Sequence, residues 1–203
     1  MIRLAFMIVF SYILGSIPTS IIVARRLRGI DIREYGSGNA GGTNTVRILG
    51  WMPGMVVMTV DVLKGALAVL WIAPLAFGAL PVAPETFRIA AAAAAVTGHI
   101  WTVFAGFRGG KGVGTGAGAL AVLSPGAFAV AALVFLAVFA LTRTVFIGSL
   151  AAALSLPIVL TVFRNVFRWS VSDALYIFGF WAAGLIFYTH RTNIARYRAR
   201  TKS

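Results

Sequence analysis

Long apolar runs, separated by short polar and glycine-rich intervals, organise this chain. Residues 2–24 run apolar apart from Arg3 and an interruption at Gly15-Ser16-Ile17-Pro18. That pattern predicts a first membrane-crossing helix, kinked where proline frees a backbone carbonyl. Residues 55–77 predict a second crossing, which carries Asp61 and Lys64. Residues 78–85, with Pro81 and Pro84, read as a loop. Residues 87–107 predict a third crossing, whose alanine run at 90–95 suits close helix packing. Residues 113–123 are apolar but short for a straight crossing, which takes about 20 residues, and Ser124-Pro125 ends them. Residues 126–141 predict a short helix, 144–163 a full-length one and 174–188 the last; the tail from His190 is basic.

Period-two alternation, the sign of a membrane β-barrel, is absent. Helices are the other structure whose backbone satisfies itself in lipid. The chain is therefore expected to be an all-α integral membrane protein, one transmembrane domain over residues 1–203. If 113–123 crosses, there are seven spans with the N-terminus outside. The inner side then holds Arg25, Arg26, Arg28, Arg33, Arg47, Arg108, Lys111, Arg143, Arg191, Arg196, Arg198, Arg200 and Lys202. The outer side keeps Arg3, Arg88, Arg164 and Arg168, thirteen basic residues against four. Six spans would weaken that asymmetry, and cytoplasmic loops are the basic ones. A compact bundle of seven transmembrane helices, some short or kinked, with a cytoplasmic C-terminus, fits better. It puts every polar stretch on the cytoplasmic face.

Composition agrees. Of 203 residues 60% are hydrophobic and only 11% charged, where soluble chains carry roughly a quarter. The absence of cysteine excludes disulfides, thiolate metal sites and a cysteine nucleophile. The N-terminal run is too long, and lacks the small-residue cleavage site, for a cleavable signal peptide. A net charge of +13 in so apolar a chain points to anionic lipid headgroups and anionic substrates, and no nucleic acid partner is expected.

The polar stretch at 36–50 sets Ser37, Asn39, Thr43, Asn44 and Arg47 among Gly36, Gly38, Gly41 and Gly42. Glycine lets the backbone approach a ligand and turn successive N–H groups into one concavity. Hydroxyl and amide side chains add donors, and arginine adds a planar fork matched to phosphate. The pattern suits oxyanion binding, with an ordinary solvated loop as the plain alternative. The stretch at 98–112 repeats the logic: Arg108, Gly109, Gly110, Lys111 and Gly112 precede a helix start near Val113, where free N–H groups and the dipole favour an anion. It is not a phosphate-binding loop of the Walker type, because Ala105 and Gly112 stand where glycine and a hydroxyl residue are required. Its alternative is helix packing, since Gly106 and Gly110, and Gly112 and Gly116, have small-xxx-small spacing.

The other polar residues are fewer. His99 beside Trp101 reads as an interfacial or packing histidine. Asp61 and Lys64, three apart inside an apolar run, are expected to neutralise each other as structural support. His190, Asn193 and Arg196 would share one helical face at the start of the tail. The acids are Asp31, Glu34, Asp61, Glu85 and Asp173, none of them paired or clustered. Neither divalent-metal chemistry nor a carboxylate proton relay is expected, so no metal and no cofactor is assigned. Two phosphate-bearing substrates would bring about three to four negative charges, which Arg47, Arg108, Lys111, His190 and Arg196 together could offset.

These stretches resemble the bacterial acyl-phosphate:glycerol-3-phosphate acyltransferases. Gly36 to Arg47 resembles GSGNxGATNxxR, with Gly42 for the alanine. Residues 98–115 are similar to GHxxPxFxxFxGGKGxAT, with Thr102 for the proline and Gly114 for the alanine; Thr115 matches and is expected among the phosphate-binding residues. His190, Asn193, Ile194 and Arg196 match HxxNIxR, while Arg200 and Lys202 stand where glycine and glutamate follow. The resemblance implies an enzyme moving a fatty acyl group from acyl phosphate to the 1-hydroxyl of glycerol 3-phosphate in the cell (inner) membrane, giving lysophosphatidic acid. It implies that Ser37, Arg47 and Lys111 hold phosphate and that His190 and Asn193 position glycerol phosphate. The residues themselves suggest that Ser37, Asn39 and loop N–H groups donate to the developing oxyanion. His190 is the best side-chain base; a substrate phosphate is the other. A membrane transporter for a phosphate-bearing anion is the alternative function, although the two halves share no repeated spacing.

Overall fold

The computed structural model describes residues 1–200, with Arg200 described by its backbone alone. Lys202 and the side chain of Arg200, which entered the comparison of the tail motif, lie outside the described residues. The described residues form helices joined by turns and loops, without a strand, and divide into two compact units, Met1–Leu123 and Ser124 onward.

The first unit contains α1 (Ile2–Ser16), α2 (Thr19–Arg28), α3 (Gly42–Leu49), α4 (Trp51–Leu67), α5 (Pro84–Ile100) and α6 (Val113–Leu123). α4 continues through a π turn at Ala68–Ile72 and a 3-10 turn at Ala73–Ala76. The expected kink in the first run is a full break at Ile17 and Pro18. Proline has no N–H to donate, and Ile17 turns extended (φ −55°, ψ 112°). The Ile17 carbonyl accepts locally from the Thr19 N–H (2.9 Å), and distant side chains reach both it and the Ser16 carbonyl. The Thr102 hydroxyl donates to Ser16 O, and Lys64 Nζ donates to Ile17 O at 2.5 Å.

Small residues let these helices touch. A Cβ on Gly15 would strike the Ala95 carbonyl, and one on Gly98 the Tyr12 carbonyl, which seats α1 on α5. Gly65 and Gly118 do the same for α4 and α6, against the carbonyls of Thr115 and Val62. Close approach of this kind is how helices associate where lipid removes the hydrophobic drive.

Several boundaries differ from the sequence reading. The first apolar stretch runs on to Arg28, because leucine and arginine keep good helix propensity past Ala24. α4 begins at Trp51, since Pro53 in a first turn costs no hydrogen bond. Pro84 starts α5 rather than belonging to the loop, for the same reason. α5 ends at Ile100, and Val103–Ala105 forms a 3-10 turn.

The second unit contains α7 (Pro125–Thr142), α8 (Val145–Asn165), α9 (Asp173–Thr189) and α10 (Arg191–Arg200). α8 packs on both α7 and α9. Ser172 caps α9 by accepting from the Leu175 N–H at 3.1 Å. Among the described residues five helical stretches are long and apolar enough to cross a membrane: Ile2–Arg28, Trp51–Ala76, Pro84–Ala105, Pro125–Thr142 and Val145–Asn165; α6 and α9 are shorter apolar helices.

Candidate active site

The polar stretch at 36–50 is not one loop. Residues 36–41 are loop, and α3 begins at Gly42, so Thr43, Asn44 and Arg47 are helical. Thr43 and Arg47 stand four apart and are both exposed, which places them on one open face. Asn44 points the other way and is buried. Its Oδ1 accepts from the Ser37 N–H at 2.9 Å, and its Nδ2 donates to the carbonyls of Ile32 (3.1 Å) and Tyr35 (3.0 Å). Asn44, expected among the phosphate ligands, therefore uses its amide to hold the loop on α3. Gly36 and Gly38 adopt left-handed backbone (φ 62° and 74°), and a Cβ on Gly36 would collide with Asn44 Oδ1. Ser37 and Asn39 are half-buried at the loop surface.

In the second stretch the glycine amides are also committed. Gly109 N–H donates to Ile100 O (2.9 Å) and Gly110 N–H to His99 O (3.0 Å). They satisfy carbonyls at the C-terminus of α5, so the expected row of N–H groups facing one concavity does not form from Gly109 and Gly110. Gly38 N–H likewise goes to Tyr35 O (3.1 Å). Gly112 (φ 83°) turns the chain into α6. Arg108 is exposed and Lys111 half-buried in this segment. Thr115, expected to bind phosphate, is fully buried in the α4–α6 contact with its carbonyl against Gly65.

The structure brings the two glycine-rich segments together. A Cβ on Gly110 would lie 2.9 Å from the Ala40 carbonyl. Arg33 bridges them as well: its guanidinium pairs with Asp31 (Nη2–Oδ2 2.7 Å) and donates through Nη1 to Ala105 O (2.8 Å) and Arg108 O (3.2 Å). That guanidinium holds the Asp31 carboxyl well below its ordinary range, at about 2.

Beneath lies a buried polar cluster. Asp61 Oδ1 is 2.7 Å from Lys64 Nζ, 3.3 Å from Thr19 Oγ1 and 3.7 Å from His99 Nδ1. The other ring nitrogen of His99 lies where a Cβ on Gly110 would have to stand. The histidine ring thus fills the space between the buried carboxylate and the second glycine-rich segment.

In the second unit, His190 occupies the junction of α9 and α10 rather than a position inside one helix with Asn193. It is buried, and its Nδ1 lies 2.8 Å from Ile186 O. A carbonyl oxygen only accepts, so Nδ1 carries the proton and Nε2 is the basic atom. Asn193, half-buried, and Arg196, exposed, stand three apart on α10.

Sequence reading missed Asp31, Arg33, Thr19 and Thr102. Asp31-x-Arg33 resembles a capped turn closed by its own arginine, and that spacing is the signal it left unused. Thr102 stands where the resembled pattern has proline. Its role depends on a helix broken 86 residues away, which no local signal reports.

Fold and site together define a polytopic helical membrane protein in which two basic, glycine-rich segments meet at one end of a small-residue helix bundle. The family model described as "Glycerol-3-phosphate acyltransferase" matches residues 5–200, and the chain belongs to that family. Similar proteins include the glycerol-3-phosphate acyltransferases of Chlorobaculum parvum (42% identical, covering 97% of this chain and 94% of the relative) and Chlorobaculum tepidum (43%, with the same coverage). Among solved structures, the integral membrane glycerol 3-phosphate acyltransferase PlsY is similar in its glycerol 3-phosphate form (TM-score 0.83, 35% identity, 97% of this chain and 92% of that chain). Its lysophosphatidic acid form is similar too (TM-score 0.80, 34% identity, with the same coverage).

Proposed function

We propose that this chain transfers a fatty acyl group from acyl phosphate to the 1-hydroxyl of glycerol 3-phosphate. The products are lysophosphatidic acid and inorganic phosphate. The observation that carries the reading is the junction of the two glycine-rich segments, which sets Ser37, Thr43, Arg47, Arg108 and Lys111 within one unit of a chain of this family.

Acyl phosphate is already activated, so alignment and charge compensation are the main requirements. The hydroxyl oxygen attacks the acyl carbonyl carbon, the bond from that carbon to the phosphate oxygen breaks, and phosphate leaves. Arg47 and Lys111 offset phosphate charge, and Ser37 and Asn39 donate to the oxyanion. His190 and Asn193 position glycerol phosphate, with Arg196 adding positive charge. The proton of the hydroxyl passes to His190 Nε2 or to a substrate phosphate.

The whole chain acts as one acyltransferase domain of seven membrane helices, α6 and α9 being the two short ones. Its basic side faces the cytoplasm across the bacterial inner membrane. Purified protein supplied with acyl phosphate and glycerol 3-phosphate tests the reading, with and without a chelator. Lysophosphatidic acid forming at equal rates in both supports it; gradient-dependent uptake without product would favour a transporter instead.

A further inference from the structure

We infer that the Asp31–Arg33 pair is a positioning clamp that fixes the two glycine-rich segments against each other, with Arg33 aligning the two substrates without touching either. The inference rests on the acyltransferase reading above.

The geometry begins at Asp31, whose Oδ1 accepts from the Arg33 N–H at 3.0 Å and so closes the short turn Ile32–Glu34. The Arg33 side chain then folds back. Its Nε donates to both carboxylate oxygens (3.0 and 3.2 Å), and its Nη2 to Oδ2. Held flat in this way, the guanidinium points Nη1 at the carbonyls of Ala105 and Arg108. Those carbonyls flank the turn that leads into Gly109-Gly110-Lys111. On its other side Arg33 sits three residues before Gly36, and its own carbonyl is 3.3 Å from where a Cβ on Gly38 would stand. Asn44 grips the carbonyls of Ile32 and Tyr35 on either side. Asn44 therefore ties the first loop to α3, and Arg33 ties the same loop to the second segment.

Two physical points separate this role from phosphate binding and from plain stabilisation. Nε, Nη1 and Nη2 of Arg33 all have protein acceptors, so Arg33 is not built to receive a phosphate, in contrast to the exposed Arg47. The pair is also partly open to solvent, with 21% of the Arg33 side chain and 16% of the Asp31 side chain accessible. Pairs near the surface add little to stability, whereas a small misplacement of reacting groups costs rate steeply. Lysine cannot substitute, because a single ammonium lacks the fork that reaches a carboxylate and two carbonyls together.

The test compares full-length Arg33→Lys, Arg33→Gln and Asp31→Asn with wild type, using Arg28→Gln as a control at an exposed arginine. Steady-state kinetics with acyl phosphate and glycerol 3-phosphate are measured beside thermal unfolding and hydrogen exchange of residues 105–112. In the Arg33 variants kcat should fall about ten- to a hundredfold. KM for each substrate should change less than about threefold and the unfolding midpoint by about 2 °C or less, while exchange across 105–112 quickens. The control should match wild type. A kcat within twofold of wild type overturns the inference, as does a raised KM with unchanged kcat, which would make Arg33 a ligand. A rate loss that only follows a fallen unfolding midpoint overturns it as well. If wild type itself makes no lysophosphatidic acid, the functional reading fails separately, and unchanged exchange in Arg33→Lys would still refute the clamp.

Discussion

Lys64 Nζ lies 2.5 Å from the carbonyl oxygen of Ile17, 47 residues earlier in the chain, and 2.7 Å from Asp61 on its own helix. One buried ammonium thus serves a carboxylate and a carbonyl at once, the carbonyl also accepting from the Thr19 N–H at 2.9 Å. Removing it leaves a buried carboxylate without its cation and takes a charged donor from the Ile17 carbonyl. Lys64→Met should therefore destabilise the detergent-solubilised protein by about 3–5 kcal/mol, the cost of breaking a buried pair. Adding Asp61→Asn should recover part of the loss, since an uncharged amide is cheaper to bury. Thermal unfolding of both variants decides it, and a Lys64→Met variant as stable as wild type would rule the assignment out.

Close contact separates two glycines. Gly65 in α4 faces the Thr115 backbone directly, whereas Gly184 in α9 has nothing within 4 Å of where its Cβ would be. Gly65→Ala must push α4 from α6 and should cost at least about 2 kcal/mol, by overpacking. Gly184→Ala should be neutral or gain about 0.5 kcal/mol from helix propensity. Equal unfolding midpoints for the two variants would show that the α4–α6 contact is looser than the structure has it.

Much of the fold was legible because apolar run length, proline and glycine are local signals. The limits 113–123 for α6 were read directly, and α7 to α9 to within a residue or two. What escaped depends on distant partners. Pro18 announces a disturbance at 17–18, but whether the helix bends or breaks depends on Lys64 and Thr102 being there to take the freed carbonyls. Within the candidate site, composition drew attention to Gly36–Gly50 without showing that Asn44 turns inward while Arg47 stays exposed. Thr43, Asn44 and Arg47 all look like ligands until the eight residues of α3 are wound into a helix, which gives Thr43 and Arg47 one face and Asn44 another. The engagement of the Gly109 and Gly110 amides is hidden for a related reason: the carbonyls they satisfy belong to the end of α5, whose position a glycine count does not report.

Asp31 supplies a pH dependence with a definite sign. The Arg33 hydrogen bond lowers its carboxyl from the ordinary 3.8 to about 2 in the folded chain. A depressed folded value means the pair stabilises fully above about pH 4 and loses that contribution as pH falls toward 2. The unfolding midpoint of wild type minus that of Asp31→Asn, a small difference of about 2 °C or less for a pair partly open to solvent, should therefore stay constant from neutral pH down to about 4 and shrink below it. A difference that disappears already between pH 5 and 7 would place the titrating group elsewhere.

Arg47 lies on the exposed face of α3, four residues after Thr43. If its fork clamps a phosphate, charge alone is not enough, because an ammonium offers no planar pair of donors. Arg47→Lys should raise KM for glycerol 3-phosphate about tenfold or more while leaving the unfolding midpoint unchanged. Unaltered affinity in this variant would remove Arg47 from phosphate binding.

His190 poses the last question, which group takes the proton. Its Nδ1 is held by Ile186 O at 2.8 Å, which fixes the tautomer and leaves Nε2 as the basic nitrogen. A positioned base contributes about 10²–10⁴ in rate. If Nε2 is that base, His190→Ala and His190→Gln should both lose at least about a hundredfold in kcat, because glutamine cannot accept a proton near neutrality. If a substrate phosphate takes the proton instead and His190 only orients glycerol phosphate by hydrogen bonding, the two variants should part. Glutamine would then keep most of kcat, and alanine would raise KM for glycerol 3-phosphate. Steady-state kinetics of the two variants side by side distinguish these cases, and near-normal rate and affinity in both would take His190 out of the mechanism altogether.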